Sequence, residues 1–269
     1  MVATLTPTTH PPGVGPLLRD WRRRRRLSQL DLAGEATVSA RHLSFVETGR
    51  AKPSRELVLH LAEHLDVPLR ERNSLLLAAG YAPGFRQTPL DAAEMAPVRE
   101  ALDTILAGHR PFPAVVVDRR WDLVTANEPA LELLTAGVAD DLLAPPANAL
   151  RISLHPEGLA PRIVNFGPWA AHLVDRLRRE ADLYGDPDLA DLHHELCGYP
   201  GVAGSTVPPP VASQLFMPLV LRTDGRELSF FSTVATFGTA RDITVEELAI
   251  ESFFPADTET AEVLRARWT

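Results

Sequence analysis

The strongest constraint in the chain is the stretch LSQLDLAGEATVSARHLSFVETGRAKPSRELVLHLAEHLDV, Leu27 to Val67, because one local pattern recurs along it. A serine opens each repeat, apolar residues follow at helical spacing, and a breaker ends it. Ser28 is a favoured N-cap, with Asp31 three residues on in the place of a capping acid. Leu27, Leu30, Leu32 and Ala33 give this helix an inward face, and it ends near Ala36. Ser39 caps the next helix, in which Leu43 and Val46 lie one turn apart and which Gly49 stops. Ser54 caps a further one carrying Leu57, Leu59, Leu61, Ala62 and Leu65. A helix from Pro16, with Leu17, Leu18 and Trp21, precedes these, and another from Pro68 to Gly80 follows. Five short helices joined by tight turns, with small Ala33 where two must cross closely, predict an all-α helix-turn-helix bundle over residues 15–80.

Charge divides the chain at the same place. Up to Gly80 there are twelve Lys and Arg against eight Asp and Glu, and beyond it fifteen against twenty-seven, within a formal net charge of −8. The first part reads as a basic module that meets a polyanion, joined to an acidic module with another task. The block WRRRRRLSQL concentrates that charge. Five successive arginines cannot all face one way, so some of Arg22 to Arg26 are solvated and one or two lie along apolar surface with their stems. A length of 269 residues fits two domains. The longest apolar runs, such as AVVV at Ala114 to Val117, fall far short of a membrane span, so no membrane association is expected. Residues 1–14 have neither a basic start nor an apolar core and read as a flexible tail, not a signal peptide. A single cysteine, Cys197, excludes an internal disulfide and fits a reducing cytoplasm.

The stretch from Leu27 to Val67 resembles the helix-turn-helix of XRE-family repressors: Gln opens helix two, Ala sits in its middle, Ser opens helix three, Glu, Gly and a basic residue follow, and Pro-Ser precedes helix four. The resemblance implies a lambda-repressor-like bundle that binds a double-stranded DNA operator as a homodimer on paired half-sites. It implies that Gln29 and Ser39 hydrogen-bond phosphates from helix N-termini, and that Ala40, Arg41 and Phe45 meet base edges in the major groove. Arg41 is the one of these able to grip guanine O6 and N7 together, while Ala40 and Phe45 offer apolar contact to a thymine methyl. His42, Arg50, Lys52 and Ser54 are candidates for the flanking backbone, and the arginine block adds salt-dependent attraction to any sequence. Two positions depart from the family pattern. Thr37 stands in the turn that usually carries Gly for its positive φ, and Gly34 interrupts helix two at a cost of about 1 kcal/mol relative to Ala. Together they imply a looser reading head.

Residues 81–109 read as a Pro- and Gly-punctuated linker followed by a helix, a connector or a dimer contact, with Val98, Leu102, Ile105 and Leu106 on one face. As the only covalent route between the modules, that helix is the candidate for the element that moves. Over 110–269, AVVVDRRWDLVTAN predicts one hairpin and SQLFMPLVLRTDGRELSFFSTVATFG a second on an Asp224-Gly225 turn, with helical WAAHLVDRLRREADLY and PDLADLHHELC between them. Strands, then helices, then strands give an α+β domain with an antiparallel sheet.

The segments PFPAVVVDRRWDLVTANEPALELL, LHPEGLAPRIVNFGPWAAHLVDRLRREA and FGTARDITVEELAIESFFPADTETAEVLR are similar to the MmyB-like ligand-binding domain, a PAS-like fold found behind XRE-type headpieces in actinobacterial regulators. The similarity covers nearly all of Pro111 to Arg265 and implies an internal pocket for a fatty acid or similar apolar ligand, with no other cofactor. Trp121, Asn127, Arg162, Asn165, Trp169, His172, Phe216 and Phe231 combine apolar bulk with a few polar groups, as pockets do. Arg162 and Asn165 are the expected headgroup partners because they precede the helix at Trp169. His193, His194 and Cys197 have a spacing that could bind metal, but no fourth ligand lies near in sequence and a surface His pair is the commoner case. With no G-x-S-x-G elbow, P-loop or G-x-G-x-x-G after a strand, no enzyme is expected. The competing reading is a repressor whose C-terminal domain binds a protein partner.

Overall fold

The computed structural model describes residues 13–205 and 216–268, so the expected tail lies almost wholly outside the described residues. The described chain divides into two compact units. One holds the residues up to Thr88 together with Thr239–Glu246, and the other holds Pro89–Gly238 and Glu247 onward.

The first unit is built from α1 (Val14–Arg24), α2 (Gln29–Glu35), α3 (Ala40–Glu47), α4 (Arg55–His64) and α5 (Leu69–Ala78). Its serines cap as the sequence predicts. Ser28 Oγ accepts the Asp31 N–H while the Asp31 carboxylate accepts the Ser28 N–H, and Ser39 and Ser54 accept from His42 and Leu57. Each cap satisfies a first-turn donor that has no intrahelical acceptor, and its loss costs about 1 kcal/mol. Leu18, Leu32, Leu43, Leu61, Leu65 and Leu75 fill the core. Leu30 does not, being 75% exposed. Two residues along a helix are about 200° around it, so a face set by Leu32 and Ala33 turns Leu30 outward. The crossing of α1 and α3 depends on Gly15, where a Cβ would stand 2.4 Å from the Val46 carbonyl oxygen of α3.

The second unit is α+β. Its sheet comprises β1 (Ala114–Val117), β2 (Leu123–Ala126), β3 (Leu219–Thr223), β4 (Arg226–Thr236) and β5 (Ala249–Pro255), antiparallel throughout in the order β2-β1-β5-β4-β3. Both predicted hairpins form. Asp224 and Gly225, at φ 49° and 74°, make the two-residue turn of the second. The central strand β5 has no alternating signature because Ile250 is buried on one sheet face and Glu251 and Phe253 on the other. On the first face lies α6 (Ala96–Gly108), whose Leu102 and Leu106 pack with Val116, Leu248 and Ile250. The helix expected as a free connector is therefore part of this unit's core, residues 81–88 sort with the first unit, and Ile105 is 40% exposed instead of facing inward. On the other face the main core gathers residues from α7 (Glu128–Thr135), α8 (Asp140–Leu143), α9 (Ala149–Leu154), α10 (Phe166–Tyr184) and α11 (Pro187–Cys197).

Between β4 and β5 the chain returns to the first unit, where it forms α12 (Ile243–Glu246). The Asp242 carboxylate accepts the Thr88 hydroxyl at 2.7 Å, the Ile243 N–H reaches the Arg86 carbonyl, and Glu246 accepts the Leu69 N–H at the start of α5. The chain thus passes between the units three times, which corrects the expectation of a single covalent route. The last helix, α13 (Thr258–Trp268), adds Leu264 and Trp268 to the main core.

Candidate functional site

The outward side of α3 carries the expected reading residues. Arg41 and His42 are exposed, Ala40 and Phe45 are half-exposed, and Leu43 and Val46 are buried. The Arg41 guanidinium lies 5.4 Å from the Phe45 ring centroid, so the aromatic face holds the cation before any ligand arrives. Ser44, which the sequence did not single out, lies half-exposed beside Phe45 on the same helix. Arg50, Lys52 and Ser54 are also exposed, with Lys52 Nζ 5.4 Å from the Tyr81 ring and Ser54 Oγ occupied as a cap. The turn before α3 passes through Thr37 at φ 52°, the left-handed conformation inferred from the family pattern.

Gln29, at the start of α2, is also engaged within the protein. Its amide nitrogen donates to Glu47 Oε2 at 2.8 Å, inside a network that also takes Arg22 Nε to Oε1 at 2.7 Å and Nη2 to Oε2 at 2.8 Å. Glu47 is 1% exposed. Burial pushes its carboxyl up, but the hydrogen bonds from Arg22 and Gln29 outweigh this and hold it below the ordinary carboxylate value. The arginine block is therefore divided in function. Arg22 clamps α1 to α3, and Arg25 bonds the carbonyls of Leu65 and Asp66 after α4. Arg23 and Arg26 are exposed, as is Arg24, which stacks on Trp21 at 5.0 Å.

The second unit has a partly open cavity of about 80 Å³ between the sheet and its helices, with Val115, Trp121, Leu150, Trp169, Leu173 and Phe253 on its walls. A smaller one shares Leu134, Leu219 and Phe253 with it. Of the eight residues expected at a pocket, Trp121 and Trp169 line it. The other six are employed elsewhere. Asn127 caps α7 and bridges the Ala114 N–H and the Phe112 carbonyl. Arg162 donates to the carbonyls of Leu133, Ala136 and Arg222, with burial depressing its pKa. Asn165 is tied to Pro218 and Val220 at the start of β3. His172 packs beside Trp169 at 5.8 Å, and burial lowers its pKa, with Arg176 and Arg179 adding to the effect. Phe231 stacks on Phe254 at 5.3 Å and meets Phe216, because alternation along β4 and β5 turns both away from Phe230 and Phe253.

The wall also holds a residue the sequence reading passed over. Glu251 of β5 lines the cavity and is 7% exposed, and burial raises its pKa while Arg176 and Ser232 work to lower it. Its nearest cation is Arg176 of α10, at 3.8 Å. His193 Nε2 lies 3.7 Å from Cys197 Sγ, and among the described residues no group of three or more such side chains gathers to hold a metal. No helix among the described residues is long and apolar enough to cross a membrane.

The geometry agrees with what family comparison finds. A helix-turn-helix domain model matches residues 14–75, the span of α1 to α5 up to Leu75. A search of curated proteins returned no match. A model described as the MmyB-like transcription regulator ligand binding domain matches residues 98–266, from α6 through α13 and over the whole cavity. On that match, over more than half of its length, the chain belongs to the family of transcription regulators with an MmyB-like ligand-binding domain behind a DNA-binding helix-turn-helix.

Proposed function

We propose that the chain binds a double-stranded operator sequence-specifically, as a homodimer in the cytoplasm, and that a small apolar molecule in the second unit's cavity alters that binding. The observation that carries this is the cavity itself. A native core is packed to crystal density, so an apolar recess walled by Trp121, Trp169, Leu173 and Phe253 is space that a small apolar molecule can fill. Thr135 donates to the Leu131 carbonyl and Ser153 accepts the Trp169 indole N–H, so both hydroxyls have partners within the protein. The chain acts as a sensor, not as an enzyme.

Specificity resides in Arg41, supported by Phe45. One headpiece buries too little surface for strong discrimination, and two copies on half-sites about one helical turn apart supply the remainder. A ligand changes operator affinity only by preferring one arrangement of the protein, and a coupling of about 1 to 3 kcal/mol corresponds to roughly 5- to 150-fold. The test is a DNA-binding titration of the full chain on its own upstream region, with and without an apolar ligand identified by thermal stabilisation. A shift of the binding curve with two chains per operator is expected. A one-to-one complex rejects the dimer, and a stoichiometric protein partner with no small-molecule stabilisation favours the competing reading.

A further inference from the structure

The cavity's polar equipment bears on which apolar molecule it takes, if it is the ligand site as read above. Glu251 and Glu180 share one guanidinium. Arg176 Nε is 3.1 Å from Glu180 Oε1 and its Nη1 is 3.8 Å from Glu251 Oε1, while its plane covers the Trp121 ring at 4.3 Å. Glu180 also accepts the Trp121 indole N–H at 2.9 Å, so it is well satisfied. Glu251 receives the weaker share, supplemented by Ser232. Its cross-strand neighbours are Val115 and Val234, which bring no charge. This cluster sets two carboxyls against one guanidinium.

Among the described residues no Lys, Arg or His lines the cavity, and both wall indoles donate to protein partners, Trp121 to Glu180 and Trp169 to Ser153. A ligand carboxylate would find no cation there and would set a second buried anion beside Glu251. We infer that the cavity selects an apolar ligand bearing a basic nitrogen, whose ammonium seats against Glu251, and rejects a free fatty acid. A charge-assisted N–H···O bond supplies what Arg176 gives only at long range. The ligand is compact, because about 80 Å³ lies below the roughly 150 Å³ that holds a benzene ring and the roughly 300 Å³ of drug-sized sites. A longer tail leaves past Leu131, which lines the cavity and is 46% exposed.

The balance of protons gives a second signature. Burial discourages Glu251 from ionising, with Arg176 and Ser232 opposing that effect and Glu180 reinforcing it. An ammonium restores the ionised form, so amine binding releases the Glu251 proton and strengthens as pH rises through that ionisation. A carboxylate ligand would show the opposite slope.

The experiment uses the full chain and matched hexyl and decyl amines, alcohols and carboxylates, followed by calorimetry across the acid-to-neutral range. The amine is expected to bind the wild type at least about tenfold more tightly than the carboxylate, with affinity rising with pH. Glu251→Gln should abolish that preference and leave the alcohol within about threefold, which also shows that the variant cavity is intact. A carboxylate that binds as tightly as the amine, or a preference that survives Glu251→Gln, overturns the inference. Binding of none of the three overturns the ligand-site reading with it, whereas alcohol binding without amine selectivity overturns the inference alone. If Glu251→Gln does not fold, the sign of the wild type's pH slope decides.

Discussion

Each unit takes a glutamate out of water, and the two are treated oppositely. Glu47 in the first unit is 1% exposed and receives Arg22 through two hydrogen bonds, Gln29 through a third and Arg19 at 3.5 Å. Glu251 in the second is 7% exposed and has its nearest cation at 3.8 Å, shared with Glu180. Burial raises the pKa of both in principle, yet Glu47 ends below the ordinary carboxylate value and Glu251 above it. A buried charge held by three hydrogen bonds is a structural clamp. A buried carboxyl whose cation is shared and more distant, on the wall of a cavity, is the group against which the inferred ligand's ammonium is placed.

The clamp is the place to break this contrast with the largest effect. Arg22→Ala or Glu47→Gln leaves a buried partner uncompensated and should cost about 3 to 5 kcal/mol, enough to unfold the first unit and abolish DNA binding. Glu251→Gln removes a poorly compensated charge and should raise the unfolding temperature at neutral pH. The pH signs differ as well. Stability from Glu47, whose folded pKa is depressed, is present above its unfolded value and lost as pH falls through the folded one. Glu251, whose folded pKa is raised, has a contribution present below its unfolded value and lost as pH rises through the folded one. Thermal unfolding of both variants from acid to neutral pH measures this. A Glu47→Gln protein as stable as wild type would sink the contrast.

The same division between engaged and unengaged charge runs through the arginine block. Arg22 and Arg25 are committed to protein acceptors, while Arg23 and Arg26 face solvent. Arg41→Ala should lose about 1 to 3 kcal/mol on the operator and relax preference at one base pair. Replacing Arg23 and Arg26 with Gln should weaken operator and scrambled DNA alike and reduce the salt slope by up to about 2. If the double variant altered discrimination, or Arg41→Ala left it intact, the register of α3 on DNA would be misassigned.

What could be read from sequence follows the range of the interactions. The caps at Ser28, Ser39 and Ser54, the left-handed Thr37 and the Asp224-Gly225 turn are each set within a few residues, and each is where the sequence placed it. The α+β class and both hairpins were legible for the same reason. The cavity was not, because its walls come from α7, α9, α10 and four strands that chain order does not bring together. Arg162 and Asn165 were plausible headgroup partners by composition, but the loops around them used their donors to satisfy backbone carbonyls. Glu251 offered one signal, an acid inside AIESFFP, but a strand buried on both faces has no alternation to reveal which way it points.

Backbone strain sharpens the comparison of the two units, with the smallest effect. Thr37 at φ 52° and Trp121 at φ 66° are both left-handed, and neither a β-branched nor a bulky side chain suits that region. Thr37 is exposed, and the turn is already closed by the Val38 N–H on the Ala33 carbonyl at 2.9 Å. Its side chain contributes nothing that offsets the strain, so Thr37→Gly should stabilise the first unit. The relief of about 1 kcal/mol or more is partly cancelled by the larger unfolded-state entropy of Gly, leaving a gain of a few tenths to about 1 kcal/mol. Trp121 is different: Arg176 covers its ring at 4.3 Å, its indole N–H reaches Glu180, and its face walls the cavity. Trp121→Gly should therefore destabilise the second unit by about 3 kcal/mol or more despite the relieved backbone. Denaturant unfolding of the two variants decides this. Opposite signs show strain kept without purpose in the turn and strain retained for a wall in the cavity, whereas a loss of stability at Thr37→Gly would mean that the turn depends on its threonine.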